Sequence, residues 1–346
     1  MKIDFLCRDG SPLGVTLNTL WGKGSRVGCG GSEAAMLTLC EGWSKRGYKV
    51  RLYNDPHEQG VSEFEQLPIR AFVPEDDRDV LIIFRTPTSA AVNAKGMKVF
   101  LSFDQYTSQP FIPFLSQVDK VVGISEYHSA YFRGRYGFND MIVIDLPLRV
   151  DDFTDIDVDK IPNRLIHTSV PDRGLLNVLA MWPSIRERIP DATIRITSDY
   201  RLWGLSHSNN ENYFSQFMGM DGIIFPYNAS LPRKKYLEEL CKSEILFYPH
   251  QAAHAELFCI SAAEAQYAGA YPVSSDVGAL ATTNMGMVIP GDPEEASWRT
   301  QCIDKIVELL SDRDELVNKQ DDVVVKAFHR FHPNTVLDKW DNEVFV

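Results

Sequence analysis

Two glutamates eight positions apart, Glu256 and Glu264, stand in HAELFCISAAEAQYAGAYPVSS, residues 254–275. The spacing reads as one carboxylate just before an apolar helix and one about two turns inside it. That helix is read as Phe258–Tyr267, burying Ile260, Ala263 and Tyr267 and stopping before Gly269. The two carboxylates then mark two depths along one cleft wall. Glu256, at the helix mouth, suits sugar hydroxyls, and Glu264 suits the two hydroxyls of a ribose. The N–H groups of Leu257, Phe258 and Cys259 lie between them and suit a phosphate. Two unrelated surface glutamates are the bland alternative. The apolar surroundings argue against it, because a buried carboxylate needs partners.

Arg173 in TSVPDRGLLNVL, residues 168–179, is the next candidate. It stands just before a helix read from Gly174, so a cation and free helix N–H groups share one spot. That makes a diphosphate pocket in an otherwise acidic protein; a surface arginine is the competing reading. GKGSRVGCGGSEAAM, residues 22–36, occupies the same place after the first strand. Its Gly28, Gly30 and Gly31 let backbone approach a ligand, and the helix beyond them suits phosphate or sugar oxygens. The spacing is not GxGxxG, so a plain strand-to-helix loop competes with that role. Two other patterns hint at metal. Asp155-x-Asp157 and Asp157-x-Asp159 lie in a polar stretch away from any strand end, which reads as a solvated acidic run. His250, His254 and Glu256 follow Pro249 in a loop, not on one helix face, so no metal is expected. His128 and His167 read as structural histidines.

Positioning these residues takes two sets of alternating elements. First-half strands are read at Lys2–Cys7, Lys49–Tyr53, Val80–Phe84, Lys98–Leu101, Lys120–Gly123 and Met141–Ile144, with helices at Ser32–Arg46 and Ser125–Tyr136. Residues 149–164, rich in aspartate, read as a linker. Second-half strands follow at Arg164–Thr168, Thr193–Thr197, Gly222–Phe225, Ile245–Tyr248 and Ala270–Val273. Second-half helices are read at Gly174–Arg188, Pro232–Lys242, Ser297–Ser311 and Glu315–Phe328. Strand–helix alternation predicts α/β architecture with parallel sheets covered on both faces. A ligand is expected at the carboxyl ends of the strands, between two such domains.

The length of 346 residues fits two domains, and 44% apolar with 24% charged residues is a globular composition. A net charge of −12 disfavours nucleic acid as a partner. No apolar run is long enough for a transmembrane segment. MKIDFLCRDG reads as a first strand, not a signal peptide. Six scattered cysteines without a CxxC pair favour reduced thiols and a cytoplasmic location.

The pair Glu256 and Glu264 resembles the E-x7-E motif of retaining glycosyltransferases of family 4, which have the GT-B fold. GGSEAAMLTLCEGWSKRGYKVRLY resembles that family's glycine loop, first helix and second strand. VVGISEYHSAYFRGRYG resembles a segment near the end of its first domain. Arg173-Gly174 resembles its basic phosphate site, and EILFYPHQAAHAELFCISAAEAQYAGAYPVSSDVGAL its donor-binding core. The resemblance covers most of the chain and implies three parts. Residues 1–150 form a Rossmann-like acceptor domain, and residues 151–330 a Rossmann-like nucleotide-sugar donor domain. A C-terminal helix, 331–346, crosses back onto the first.

The implied activity is transfer of a hexose from a nucleotide-diphosphate sugar, GDP-mannose or a UDP-hexose such as UDP-glucose, to an acceptor hydroxyl, with retention. No metal or other cofactor is required. Arg173 would stabilise the departing diphosphate with the N–H groups after Glu256. Glu256 would hold the donor sugar and Glu264 the ribose, while Gly30 and Gly31 face the diphosphate and acceptor. Tyr227 and Asn228, in residues 225–229, would flank the base. The chain departs from the family pattern at four places. Phe103 and Asp104 stand where a histidine is frequent, leaving Asp104 the polar role. Ser169 stands near the usual second basic residue. Leu146-Pro147-Leu148 replaces an Asn-Gly, and GALATTN replaces a glycine pair followed by glutamate. The acceptor (glycan, lipid or protein) and the oligomeric state, homodimer included, stay open. A sugar-nucleotide epimerase, a phosphorylase and a non-catalytic sugar-nucleotide-binding module are the alternatives on this fold.

Overall fold

A computed structural model describes residues 1–8, 13–21, 29–58, 62–105, 109–197, 200, 217, 219–225, 231–251, 253 and 255–346. The chain forms two compact units, Met1–Arg149 with Phe331–Val346, and Val150–Arg330.

Unit 1 is built on strands β1 (Lys2–Cys7), β2 (Lys49–Tyr53), β3 (Glu65–Leu67), β4 (Val80–Phe84), β5 (Met97–Leu101), β6 (Lys120–Gly123) and β7 (Met141–Val143). They pair in parallel in the order β3-β2-β1-β4-β5-β6-β7. Continuous apolar runs such as Val80–Phe84 are buried throughout, as a sheet covered on both faces requires. Asp4 on β1 is the exception, 1% exposed. Arg51 grips both of its oxygens, at 2.7 and 2.8 Å, and Arg78 Nε donates to one at 2.6 Å. The helix Gly31–Lys45 buries Ala35, Leu39 and Trp43, at i, i+4, i+8 spacing. The chain end returns to this unit as the helix Pro333–Lys339 and the turn Trp340–Val344. Trp340 meets Trp43 edge-on at 5.2 Å, and Arg46 bonds Asp338 and Asp341.

Unit 2 carries β8 (Arg164–His167), β9 (Thr193–Ile196), β10 (Ile223–Ile224), β11 (Ile245–Tyr248), β12 (Tyr271–Ser275) and β13 (Met287–Ile289). Their order is β10-β9-β8-β11-β12-β13, again parallel. In both sheets the order reverses direction once, between β1 and β4 and between β8 and β11. These are the switch points where α/β sheets open a crevice at the strands' carboxyl ends.

Three details differ from expectation. The helix after Glu256 begins at Ile260, not Phe258, because Cys259 takes a left-handed φ of 68°. It is packed on several sides, so Ala262 to Gln266 are all buried while Ile260 and Tyr267 are half-buried. Residues 149–164 are not a free linker. Asp152 is buried and Phe153 and Ile156 pack on the unit 2 core, while Asp155, Asp157 and Asp159 are exposed. The short β3 and β13 are too brief to leave a periodicity in the sequence. Most of residues 198–221 lies outside the described residues.

Candidate active site

The chain leaves β8 through Ser169 and Gly174, both with left-handed φ (109° and 97°), and then enters the helix Leu175–Arg188. Glycine at 174 is required twice over. A Cβ there would meet the Pro249 carbonyl oxygen at 2.6 Å, on top of the positive φ. The close approach brings the β8 exit against the β11 exit. That second exit turns tightly, His250 N–H donating to the Tyr248 carbonyl at 2.9 Å. Asn177 Nδ2 donates to the Pro249 carbonyl at 3.1 Å, and Ser275 Oγ to the His250 carbonyl at 2.5 Å. So braced, buried His250 accepts from Arg173 Nη1 at 3.4 Å through its Nε2.

Glu256 joins the same spot from the other side. Its backbone bridges Gly278 (φ 65°), and its carbonyl accepts from Ala279 N–H at 2.7 Å. The Tyr248 hydroxyl donates to Glu256 Oε1 at 2.8 Å. Burial disfavours the Arg173 charge, but the attraction of Glu256, ahead of Tyr248 and Asp172, outweighs it and raises the pKa. The Tyr248 hydroxyl is pushed well up by burial first and Glu256 second, as is the Cys259 thiol. Both stay neutral beside one half-buried carboxylate and one guanidinium. Leu257, Phe258 and Cys259 are buried just before the helix, in the loop and not in its first turn.

Glu264 is built into a separate buried network. Arg233, on the helix Arg233–Lys242, donates from Nη1 to Glu264 Oε1 at 2.5 Å and from Nε to Asp152 at 2.9 Å. Tyr236 donates to Glu264 Oε2 at 3.0 Å. Both carboxylate oxygens are therefore bonded in a residue only 5% exposed.

Gly30, Gly31 and Asp104 belong to unit 1. Gly30 and Gly31 open the helix Gly31–Lys45, and the Gly30 N–H donates to the buried Glu33 carboxylate. A carboxylate at that helix end makes it a poorer place for a phosphate than for a hydroxyl. Asp104, past the end of β5, forms a two-pronged ion pair with Arg85. The Phe103 ring packs on Phe84 at 4.8 Å. Buried His128 and His167 are each hydrogen-bonded to a backbone carbonyl, of Asp104 and Phe247. Gly28, Tyr227, Asn228 and His254 lie outside the described residues. Among the described residues no cluster of three or more His, Cys, Asp or Glu is placed to hold a metal, and no helix is long and apolar enough to cross a membrane.

Tyr248, Asn177 and Arg233 were not among the residues singled out from sequence. Tyr248 had the one usable signal, an aromatic polar tip closing the apolar strand ILFY. Asn177 inside an apolar helix and Arg233 at a helix start carry no pattern of their own.

No protein-family model and no curated protein matches this chain. Solved structures do, and the three that follow each match across 99% of this chain's length. A glycosyltransferase from Rickettsia africae superposes with a TM-score of 0.72 at 14% identity over 97% of that chain. Sucrose-phosphate synthase from Thermosynechococcus elongatus gives 0.71 at 15% identity over 97%. Anabaena HepE in complex with UDP-glucose gives 0.70 at 13% identity over 98%. The chain therefore has the GT-B fold, the two-unit parallel α/β architecture of these glycosyltransferases.

Proposed function

We propose that this chain is a retaining glycosyltransferase. It moves a hexose from a UDP-hexose or GDP-mannose to an acceptor hydroxyl of a glycan, lipid or protein, without a metal. The observation that carries the reading is the placement of Arg173 and Glu256 on the two strand exits that meet at the unit 2 switch point. Arg173 supplies positive charge where the diphosphate charge develops on leaving, aided by the N–H groups of Leu257, Phe258 and Cys259. Glu256, oriented by Tyr248, accepts hydrogen bonds from donor-sugar hydroxyls. Ser169 lines the diphosphate on the β8 side, and Tyr227 and Asn228 flank the base. Glu264 takes the ribose hydroxyls on the lone pairs that Arg233 and Tyr236 leave to it. Gly30 and Gly31 face hydroxyls of the acceptor. Six cysteines without a CxxC pair suit a reducing compartment and support a cytoplasmic location.

Calorimetric titration with UDP-glucose and GDP-mannose, with and without EDTA, tests this directly. Binding of one donor that survives EDTA, together with sugar transfer abolished in Glu256→Ala, is the expected result. Transfer retained by Glu256→Ala would overturn the assignment of the site.

A further inference from the structure

Unit 2 holds a cavity of about 450 Å³ apart from Arg173 and Glu256, within the size range of small-molecule sites. Phe153, Cys241, Tyr267, Val324, Val325 and Phe328 line it. Tyr267 closes the helix Ile260–Tyr267, while Val324, Val325 and Phe328 come from the helix Arg313–Phe331. The Phe153 ring meets Tyr267 edge-on at 4.8 Å. The Tyr267 and Phe328 rings lie nearly parallel, at 18° to each other with centroids 6.4 Å apart. Val325 and Phe328 are 55% and 43% exposed, so this apolar wall is open to solvent. Such a wall gains from being covered, and ring faces held parallel suit a flat ring.

One positive charge borders the apolar wall. Lys160 Nζ donates to the Ser243 carbonyl at 2.6 Å and to the Ala268 carbonyl at 3.0 Å. Both residues stand just before strands, β11 and β12, so this is the amino edge of the unit 2 sheet, opposite Arg173 and Glu256. Gly269 leaves a gap there. A Cβ on it would meet Lys160 Nζ at 3.5 Å and Val324 Cγ2 at 3.7 Å, so the ammonium and the pocket wall share that gap. Burial raises the pKa of the Cys241 thiol and the nearby Lys160 charge lowers it, which brings the ammonium to a second wall of the pocket.

Among the described residues no carboxylate pairs with Lys160. Glu244 attracts it through space, but Arg313 holds both Glu244 oxygens. Burial lowers the Lys160 pKa to about 8, which leaves the amine mostly protonated at neutral pH. An ammonium has three N–H donors, and the two carbonyls take two. The third donor, on a charge without a counter-ion, fits an anion. Asp151, which acts on the Tyr267 hydroxyl, disfavours an anion at that end.

We propose that this pocket is a ligand site for a small aromatic carboxylate. The ring stacks on Tyr267 and Phe328, the carboxylate accepts from Lys160 Nζ, and no covalent step occurs there. The proposal does not rest on the sugar-nucleotide reading, because the two sites share no residue.

The test titrates 1-naphthoate, its neutral counterpart 1-naphthalenemethanol and the chain acid octanoate into the full chain by calorimetry. 1-Naphthoate should bind roughly tenfold more tightly than either. Phe328→Ala should weaken it about fivefold. Lys160→Gln should weaken it about tenfold and leave the alcohol within about twofold. Bound 1-naphthoate should also slow the labelling of Cys241 by N-ethylmaleimide, read from the mass of its peptide. No binding of 1-naphthoate at millimolar concentration overturns the proposal, as does binding unchanged in either variant. Octanoate or the alcohol matching 1-naphthoate on the wild type overturns it too, and so does unaltered labelling of Cys241. If Lys160→Gln lowers the melting midpoint, Phe328→Ala, at an exposed position, and Cys241 protection in the wild type carry the decision.

Discussion

At Arg173 two effects of opposite sign compete. Desolvation disfavours the charge, the neighbouring Glu256 favours it, and attraction wins. The guanidinium is thus a fixed charge held partly out of water, where it acts more strongly on an anion than a surface arginine would. Arg173→Ala is expected to lower kcat by roughly 100- to 1000-fold, the scale of removing one well-placed anion-stabilising donor. Steady-state kinetics with the donor identified by calorimetry measures it. Tyr248→Phe removes only the hydroxyl that bonds Glu256. Losing one such bond predicts a drop in kcat/KM of up to about tenfold, with a melting midpoint close to wild type. A tenfold or larger fall in Arg173→Lys would show that the fork geometry, beyond the charge, is used.

The loops between elements decide where those side chains meet. The β8 exit reaches the β11 exit only because residue 174 has no Cβ and tolerates a positive φ. Gly174→Ala should destabilise the chain by roughly 1–3 kcal/mol in urea unfolding and weaken donor binding with it. An unaffected donor affinity would show that the two exits adjust independently. On the first sheet, Asp4 is a charge placed in the middle of an apolar strand and held by two arginines. Asp4→Ala strands the fully buried Arg78 guanidinium. A loss of about 3–5 kcal/mol is expected, read from the urea midpoint.

At the scale of the molecule, His128 in unit 1 and His167 in unit 2 are buried histidines that stay neutral. Burial lowers both from an ordinary 6.5 to about 4. The unfolded chain takes up a proton as pH falls through 6.5, while the folded chain stays neutral until about 4. Their contribution is therefore present above 6.5 and lost between 6.5 and about 4, some 2 kcal/mol for each by pH 5. Urea unfolding at pH 7 and pH 5 checks this. The loss should shrink in His167→Gln, and an equal loss in that variant contradicts the account. The fold is legible at this scale in the sequence. Alternating apolar runs and helical spacings place most strands and long helices within a residue or two, because burial on both faces of a sheet leaves a continuous apolar signature. Trp43 marks its helix face without revealing that Trp340, nearly three hundred residues later, covers it.

Local rules thus determined the elements, the parallel α/β sheets they imply, and the residue types suited to a sugar nucleotide. Glu256 and Arg173 were legible because each sits at an element boundary, where a charged residue beside an apolar run stands out. Tertiary structure alone decided the partners. That Glu264 meets Tyr236 and Arg233, and that Arg233 also holds Asp152, depends on a helix and a segment remote in sequence packing at one place. The meeting of Arg85 with Asp104 depends on β4 and β5 lying side by side in register, Phe84 opposite Leu101. Periodicity records only whether a side chain is buried. Which group it meets is set by the approach of backbones distant along the chain, and no spacing along one segment carries that information.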